Sequence, residues 1–162
     1  MADRQALTDE DWTGGFHELA LIWPDHDDAR LTRATAALWS ATGFTGDRPA
    51  GADFHVRGTA PLPSGPIFSG VYQTRLDDSD RLVFYIPLTA LERSGAAVDP
   101  WLADIGAQVH EVAPIRVGLI GWEVDDVVPA PLAVAAAPEE RPVGFLLPDR
   151  SRVGLRYYPA TE

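Results

Sequence analysis

Three stretches of this chain, 16–23, 82–86 and 115–124, run apolar with almost no polar alternation. A strand with one wet face reads with a period of two, because successive side chains point to opposite sides of a sheet. Strands that lack the alternation belong inside a sheet, with apolar contact on both faces. The chain must therefore build a sheet and cover it. The polar exceptions in the first and third stretches, apart from Trp23 and Trp122 near their ends, are His17 and Glu18, then Arg116 and Glu123.

Around these stretches the punctuation is local. Gly14-Gly15 precedes the first strand and Pro24 ends it. Asp25 is placed to cap a helix over 26–42, with Asp27 and Asp28 in its first turn and Gly43 as its stop. Leu31, Ala34, Leu38 and Ala41 fall at helical spacing. A strand over 54–60, a break at 61–66, and two antiparallel strands at 67–75 and 81–87 follow, the last two joined by Asp77-Asp78-Ser79-Asp80. Thr89 and Glu92 fit a capping box for a short helix ended by Gly95. Asp99-Pro100 reads as the cap and first turn of a longer helix closed by Pro114. Residues 143–147 and 152–158 flank Pro148-Asp149-Arg150-Ser151 and read as a C-terminal hairpin.

This order predicts an α+β fold: a mixed, largely antiparallel sheet, two main helices packed on one face, and a C-terminal β-hairpin. The 162 residues, 46% hydrophobic and 23% charged, suit one domain with a sizeable core. We read 1–13 as a flexible acidic lead-in and 14–162 as that domain. Within it, 125–142, with four prolines around an alanine-valine run, reads as an internal extended connector.

Charge and composition remove several chemistries. The net charge is −11, and all thirteen cations are arginine, since the chain holds no lysine. Absence of lysine and asparagine matches GC-rich coding, so a bacterial source is expected. Excess negative charge repels nucleic acid and anionic membranes, so neither is an expected partner. Without cysteine there is no disulfide, thiolate nucleophile or cysteine-ligated zinc, and without lysine no Schiff base. His17, His26, His55 and His110 offer no i+3 or i+4 pair, and no phosphate loop, nucleophile elbow or calcium loop is present. We therefore expect no metal and no cofactor. No signal-peptide pattern opens the sequence, and a cytoplasmic location is the expectation.

Charge is also uneven. Residues 1–28 hold eight acids and one arginine, whereas 141–162 hold four arginines and two acids. The first reading of function is a non-catalytic, acidic binding protein of the immunity or inhibitor type, acting on a basic protein partner. Its candidate binding residues are Trp12, Trp23, Trp122, Arg152, Arg156 and Tyr158, because tryptophan, tyrosine and arginine dominate interface energetics. The alternative is a small cofactor-independent enzyme or ligand-binding protein with an aromatic pocket and a Glu/His acid–base group. Its candidates are His17, Glu18, His55 and Arg116. Glu18 stands out, because a charged carboxylate in so apolar a strand needs a partner, for which Arg57 or Arg116 would serve. A homo-oligomer stays open, since the edge strand of the terminal hairpin could pair between chains.

Overall fold

A computed structural model describes residues 15–49, 53–76, 78–128, 130–149 and 154–161. The first apolar stretch is strand β1, Phe16–Trp23. Helix α1, Asp28–Thr42, follows. Then come β2 (Phe54–Leu62), β3 (Gly65–Leu76) and β4 (Ser79–Pro87). The short helix α2 (Leu88–Ser94) and the longer α3 (Asp99–Val112) lead to β5 (Val117–Trp122). One turn of helix, α4 (Val124–Val127), a 3-10 turn (Pro131–Ala133), β6 (Gly144–Pro148) and β7 (Leu155–Tyr158) complete the order.

The seven strands form one sheet in the order β2-β3-β4-β1-β5-β6-β7, and every pairing in it is antiparallel. β1 and its neighbours β4 and β5 occupy the centre, as their lack of alternation requires. Leu19, Leu21 and Trp23 face one layer, which we call inner, with Leu82, Phe84 and Ile86 beside them. Helices α1 and α3 pack on each other and on this inner face through Leu31, Ala34, Leu38, Leu102, Ile105 and Val109. Gly106 lets α3 approach closely: a Cβ there would lie 2.5 Å from a methyl of Leu146 on β6.

The outer face is covered over one half. Ala20, Ile22, Val117, Leu119, Phe145 and Leu147 form a second core with Val124. Val127, Val128, Leu132, Val134 and Ala137 pack on it. The proline-rich connector read at 125–142 thus includes two helical turns and serves as the second cover of the sheet. Its prolines block a long helix, but its valines and leucine supply what the outward side of β1 and β5 needs.

Several local signals resolve differently from their sequence reading. Asp27, not Asp25, caps α1, its carboxylate accepting the Arg30 N–H at 3.0 Å; Asp25 instead pairs with the Arg30 guanidinium at 2.7 Å. The capping box at Thr89 and Glu92 is not formed, because α2 starts directly from β4 with Pro87 at the cap position. Val98 takes the cap position of α3, and Asp99 lies in its first turn. The break at 61–66 is a two-residue turn, with Pro61 and Pro66 opposite one another inside the β2–β3 ladder. β2 is an edge strand, where proline is tolerated.

Asp80 shows what the acidic β3–β4 connection does. Its side chain is fully buried, accepts the Asp27 N–H at 3.0 Å and the Arg75 Nε–H at 3.0 Å, and lies 3.9 Å from Arg30. Arg75 also reaches Asp28. One carboxylate therefore ties the start of α1 to the β3–β4 hairpin; removing it leaves the Asp27 N–H without this acceptor and leaves Arg30 and Arg75 with only the exposed carboxylates of Asp25 and Asp28. Asp80→Ala is expected to lower unfolding stability by about 3 kcal/mol in urea denaturation. A loss below about 1 kcal/mol, the scale of an exposed pair, would contradict this role.

Candidate functional site

The outer face changes character toward the β2 edge: Val83 and Tyr85 of β4 belong to the second core, whereas β2 presents His55 and Arg57 to solvent. Register sets two neighbouring rows of side chains across it. Glu18, Tyr85, Gly70 and Arg57 stand opposite one another in turn along β1, β4, β3 and β2. Ala20, Val83, Tyr72 and His55 form the next row. Glu18 is 6% exposed and Tyr85 2% exposed, whereas His55 and Arg57 on the edge strand are open to solvent.

Two tyrosines cross this surface in opposite directions. The Tyr72 hydroxyl reaches from β3 over β4 and donates to Glu18 Oε2 at 3.0 Å. The Tyr85 ring reaches the other way, over Gly70, and its hydroxyl meets His55 Nε2 on β2. Gly70 is required there, because a Cβ would sit 2.3 Å from Tyr85 Cζ. Arg57 also hydrogen-bonds the Tyr85 hydroxyl. One proton arrangement satisfies all three groups: Arg57 donates to the Tyr85 oxygen, Tyr85 donates to His55 Nε2, and His55 carries its own proton on Nδ1. The rings of His55, Tyr72 and Tyr85 lie 5.5–6.1 Å apart between centroids, and Phe16 stands edge-on to Tyr85 at 4.6 Å.

Burial sets the electrostatics. It pushes the Glu18 carboxyl up from 4.5, and Glu123 adds to the effect; the Tyr72 hydrogen bond, the Val124 N–H and the Arg81 charge oppose it. Burial raises the Tyr72 phenol, and the Glu18 charge and hydrogen bond raise it further. Burial raises Tyr85, against the pull of Arg57, and lowers His55, with Arg57 acting the same way. His55 is therefore held neutral more readily than an ordinary imidazole, and Glu18 holds its proton more readily than an ordinary carboxyl.

The other expected residues lie elsewhere. His17 points to the inner side of the sheet end, its Nε2 2.5 Å from Asp99 Oδ1 at the start of α3. Arg116 donates to the Leu132 carbonyl at 3.3 Å, holding down the connector rather than serving Glu18. The four acid–base candidates are thus not brought together; Glu18 and His55 share a face, each bonded to its own tyrosine. Glu18 takes Tyr72, the Val124 N–H and the Arg81 charge where Arg57 or Arg116 was expected. Trp23 is fully buried in the inner core, and its indole N–H donates to the Ala113 carbonyl at 3.2 Å. Arg156 stands over the Tyr158 ring at 5.2 Å, with Arg141 at 6.0 Å from the same ring. Trp12 and Arg152 lie outside the described residues.

Trp122 is the expected binding residue that stands open, 51% exposed at the end of β5. Glu123 after it adopts a left-handed backbone, φ 44°, and its N–H donates to the Phe16 carbonyl at 3.0 Å. Gly15, at φ +95°, passes directly beneath: a Cβ there would lie 2.6 Å from Trp122 Nε1 and 3.2 Å from a Glu123 carboxylate oxygen. Indole and carboxylate are therefore held side by side at this corner.

Among the described residues no group of three or more His, Asp or Glu side chains could hold a metal ion, and no helix is long and apolar enough to cross a membrane. No family model, curated protein or solved structure matches this chain. Tyr72, Tyr85 and Arg57 as a unit escaped the sequence reading; alternate positions on antiparallel strands would group them only once the register was known.

Because folding raises the Glu18 pKa above 4.5, the folded state binds more protons than the unfolded chain, so this group's contribution falls as pH rises through that window. Glu18→Gln removes the loss. Its stability relative to wild type is expected to improve as pH rises above about 4, read as urea midpoints. A difference that is flat with pH, or worsens, would contradict the assigned environment.

Proposed function

We propose that this chain is a non-catalytic binding protein of the inhibitor or immunity kind, which docks a basic protein partner. The observation that carries the reading is the exposed Trp122 set beside the Glu123 carboxylate. Among the described residues the large apolar side chains left exposed are Val112 and Trp122. A half-exposed indole is a large apolar area left in water, and tryptophan is among the commonest energetic anchors of interfaces. Glu123 keeps an uncommon backbone conformation for a residue with a side chain, which costs about 1 kcal/mol or more and is characteristic of functional corners.

The chemistry of the partner follows from charge. The segment running on from Trp122 reads Glu-Val-Asp-Asp, and Asp99, with a side chain 42% exposed, lies across β1 next to His17. An arginine or lysine could stack on the indole face while pairing with Glu123. The chain's −11 charge would speed encounter with a basic surface and oppose nucleic acid and anionic lipid. The separation of His17 and Arg116 from Glu18 and His55 favours binding over the four-residue acid–base alternative.

The test is native mass spectrometry of the chain purified gently from its own host at low ionic strength. The expected result is a stoichiometric complex with a basic polypeptide that dissociates as salt rises. Trp122→Ala is expected to weaken that complex by more than about tenfold while leaving the fold intact. A chain that carries no basic polypeptide, or a complex indifferent to the substitution, would contradict the reading.

A further inference from the structure

A groove of about 350 Å³ opens between helix α2 and the β2–β3 hairpin. Its floor is apolar: Ile67 and Ala90 are buried in the inner core, and Phe68 packs against that core. Ser64, Arg93 and Ser94 stand round its rim, and Arg93, in the last turn of α2, is the charged side chain of the lining. The volume lies at the small end of the roughly 300–1,000 Å³ of pockets that hold whole ligands. An apolar floor with a cation at its edge suits a large apolar side chain flanked by acids.

The beginning of this chain carries that pattern. Residues 1–14 lie outside the described residues; in sequence, Asp9-Glu10-Asp11 directly precedes Trp12, and Arg4 is the one cation among them. The described chain also starts beside the groove. The Gly15 carbonyl accepts the N–H of Leu88, the first residue of α2, at 3.1 Å, and Phe16 stands opposite Pro87. The start of β3 lies at this same end of the sheet, because β3 runs antiparallel to β4. With β4 between them, β1 and β3 are two strand spacings apart, roughly 10 Å. Three residues of extended chain, the distance from Gly15 back to Trp12, span about 10 Å, and the indole reaches further.

We propose that this groove is the docking site of the chain's own N-terminal segment, with the Trp12 indole on Ile67, Phe68 and Ala90 and the carboxylates of residues 9–11 at Arg93. What the segment asks of Arg93 is its positive charge at the rim, not an unused donor. Docking within one chain is favoured over a separate occupant, because covalent continuity holds the segment at high effective concentration beside α2. The inference stands apart from the Trp122 surface and from the partner proposed for it. It assigns Trp12 to the fold and leaves Trp122 as the indole offered to a partner.

The test uses the absence of cysteine from the chain. Ser64→Cys, at an exposed turn position on the groove, carries a nitroxide on the full chain labelled with 5-fluorotryptophan. Trp12→Phe assigns the Trp12 fluorine resonance. With the nitroxide oxidised, the Trp12 signal is expected to lose most of its intensity and to regain it on reduction with ascorbate. Trp23, opposite Asp80 at the far end of β1, should keep its signal in both states. Arg93→Glu, at an exposed helix position, should restore most of the Trp12 intensity in the oxidised sample, and raised salt should act in the same direction.

A Trp12 signal as strong in the oxidised as in the reduced sample would overturn the docking. Loss of signal that Arg93→Glu leaves unchanged would overturn the role given to charge at the rim. A mixture of fluorinated chain without nitroxide and nitroxide-bearing chain without fluorine separates the two sources of the segment. No loss of signal is expected in that mixture; a loss there would mean that the groove takes the segment of a second copy, and would overturn docking within one chain.

Discussion

Strand β1 has apolar residues on both faces, and the rest of the structure answers that constraint. From Leu19 to Trp23 no side chain of this strand reaches solvent. Its inward residues need the α1–α3 layer, and its outward residues Ala20 and Ile22 need a second cover, which no long helix among the described residues provides. The proline-rich stretch after β5 fills that role with one turn of helix and a few valines. That second core runs on to Val83 and Tyr85 of β4, and only toward the β2 edge does the outer face open, at His55 and Arg57.

That division explains where the unusual protonation equilibria fall. Glu18 sits at the boundary between the two halves, buried enough to be raised and close enough to Tyr72 and Arg81 to be satisfied. Tyr72 and Tyr85 inherit the same burial, while His55 at the rim is lowered by partial burial and by Arg57. Such groups also arise in structural networks, and the crossed tyrosines do join β1, β3, β4 and β2.

Much of the fold was legible in the order of residues. The three non-alternating strands gave themselves away by composition, and Gly43 and Gly95 ended their helices as left-handed residues. Caps were harder to assign, because Asp25, Asp27 and Asp28 all offer the same carboxylate and only backbone geometry selects Asp27. The covering role of the segment after β5 was hidden by its prolines, which report what a segment cannot form and not where it packs. The candidate sites were less legible still. Exposure of Trp122 against burial of Trp23 depends on which end of the sheet the inner core reaches, although both sit near strand ends in the sequence. The meeting of Tyr72 with Glu18 spans 54 positions and depends on the strand order β3-β4-β1, which no local pattern encodes.

The account turns on Trp122 being the indole that a basic partner finds first. Fluorine NMR of the chain labelled with 5-fluorotryptophan tests this directly, with Trp122→Phe used to assign the resonance. On titration with an arginine-rich peptide at low salt, the Trp122 signal should move and return as salt is added, while those of buried Trp23 and core-packed Trp39 and Trp101 stay fixed. A Trp122 resonance that stays in place while the peptide binds elsewhere on the acidic surface would contradict it.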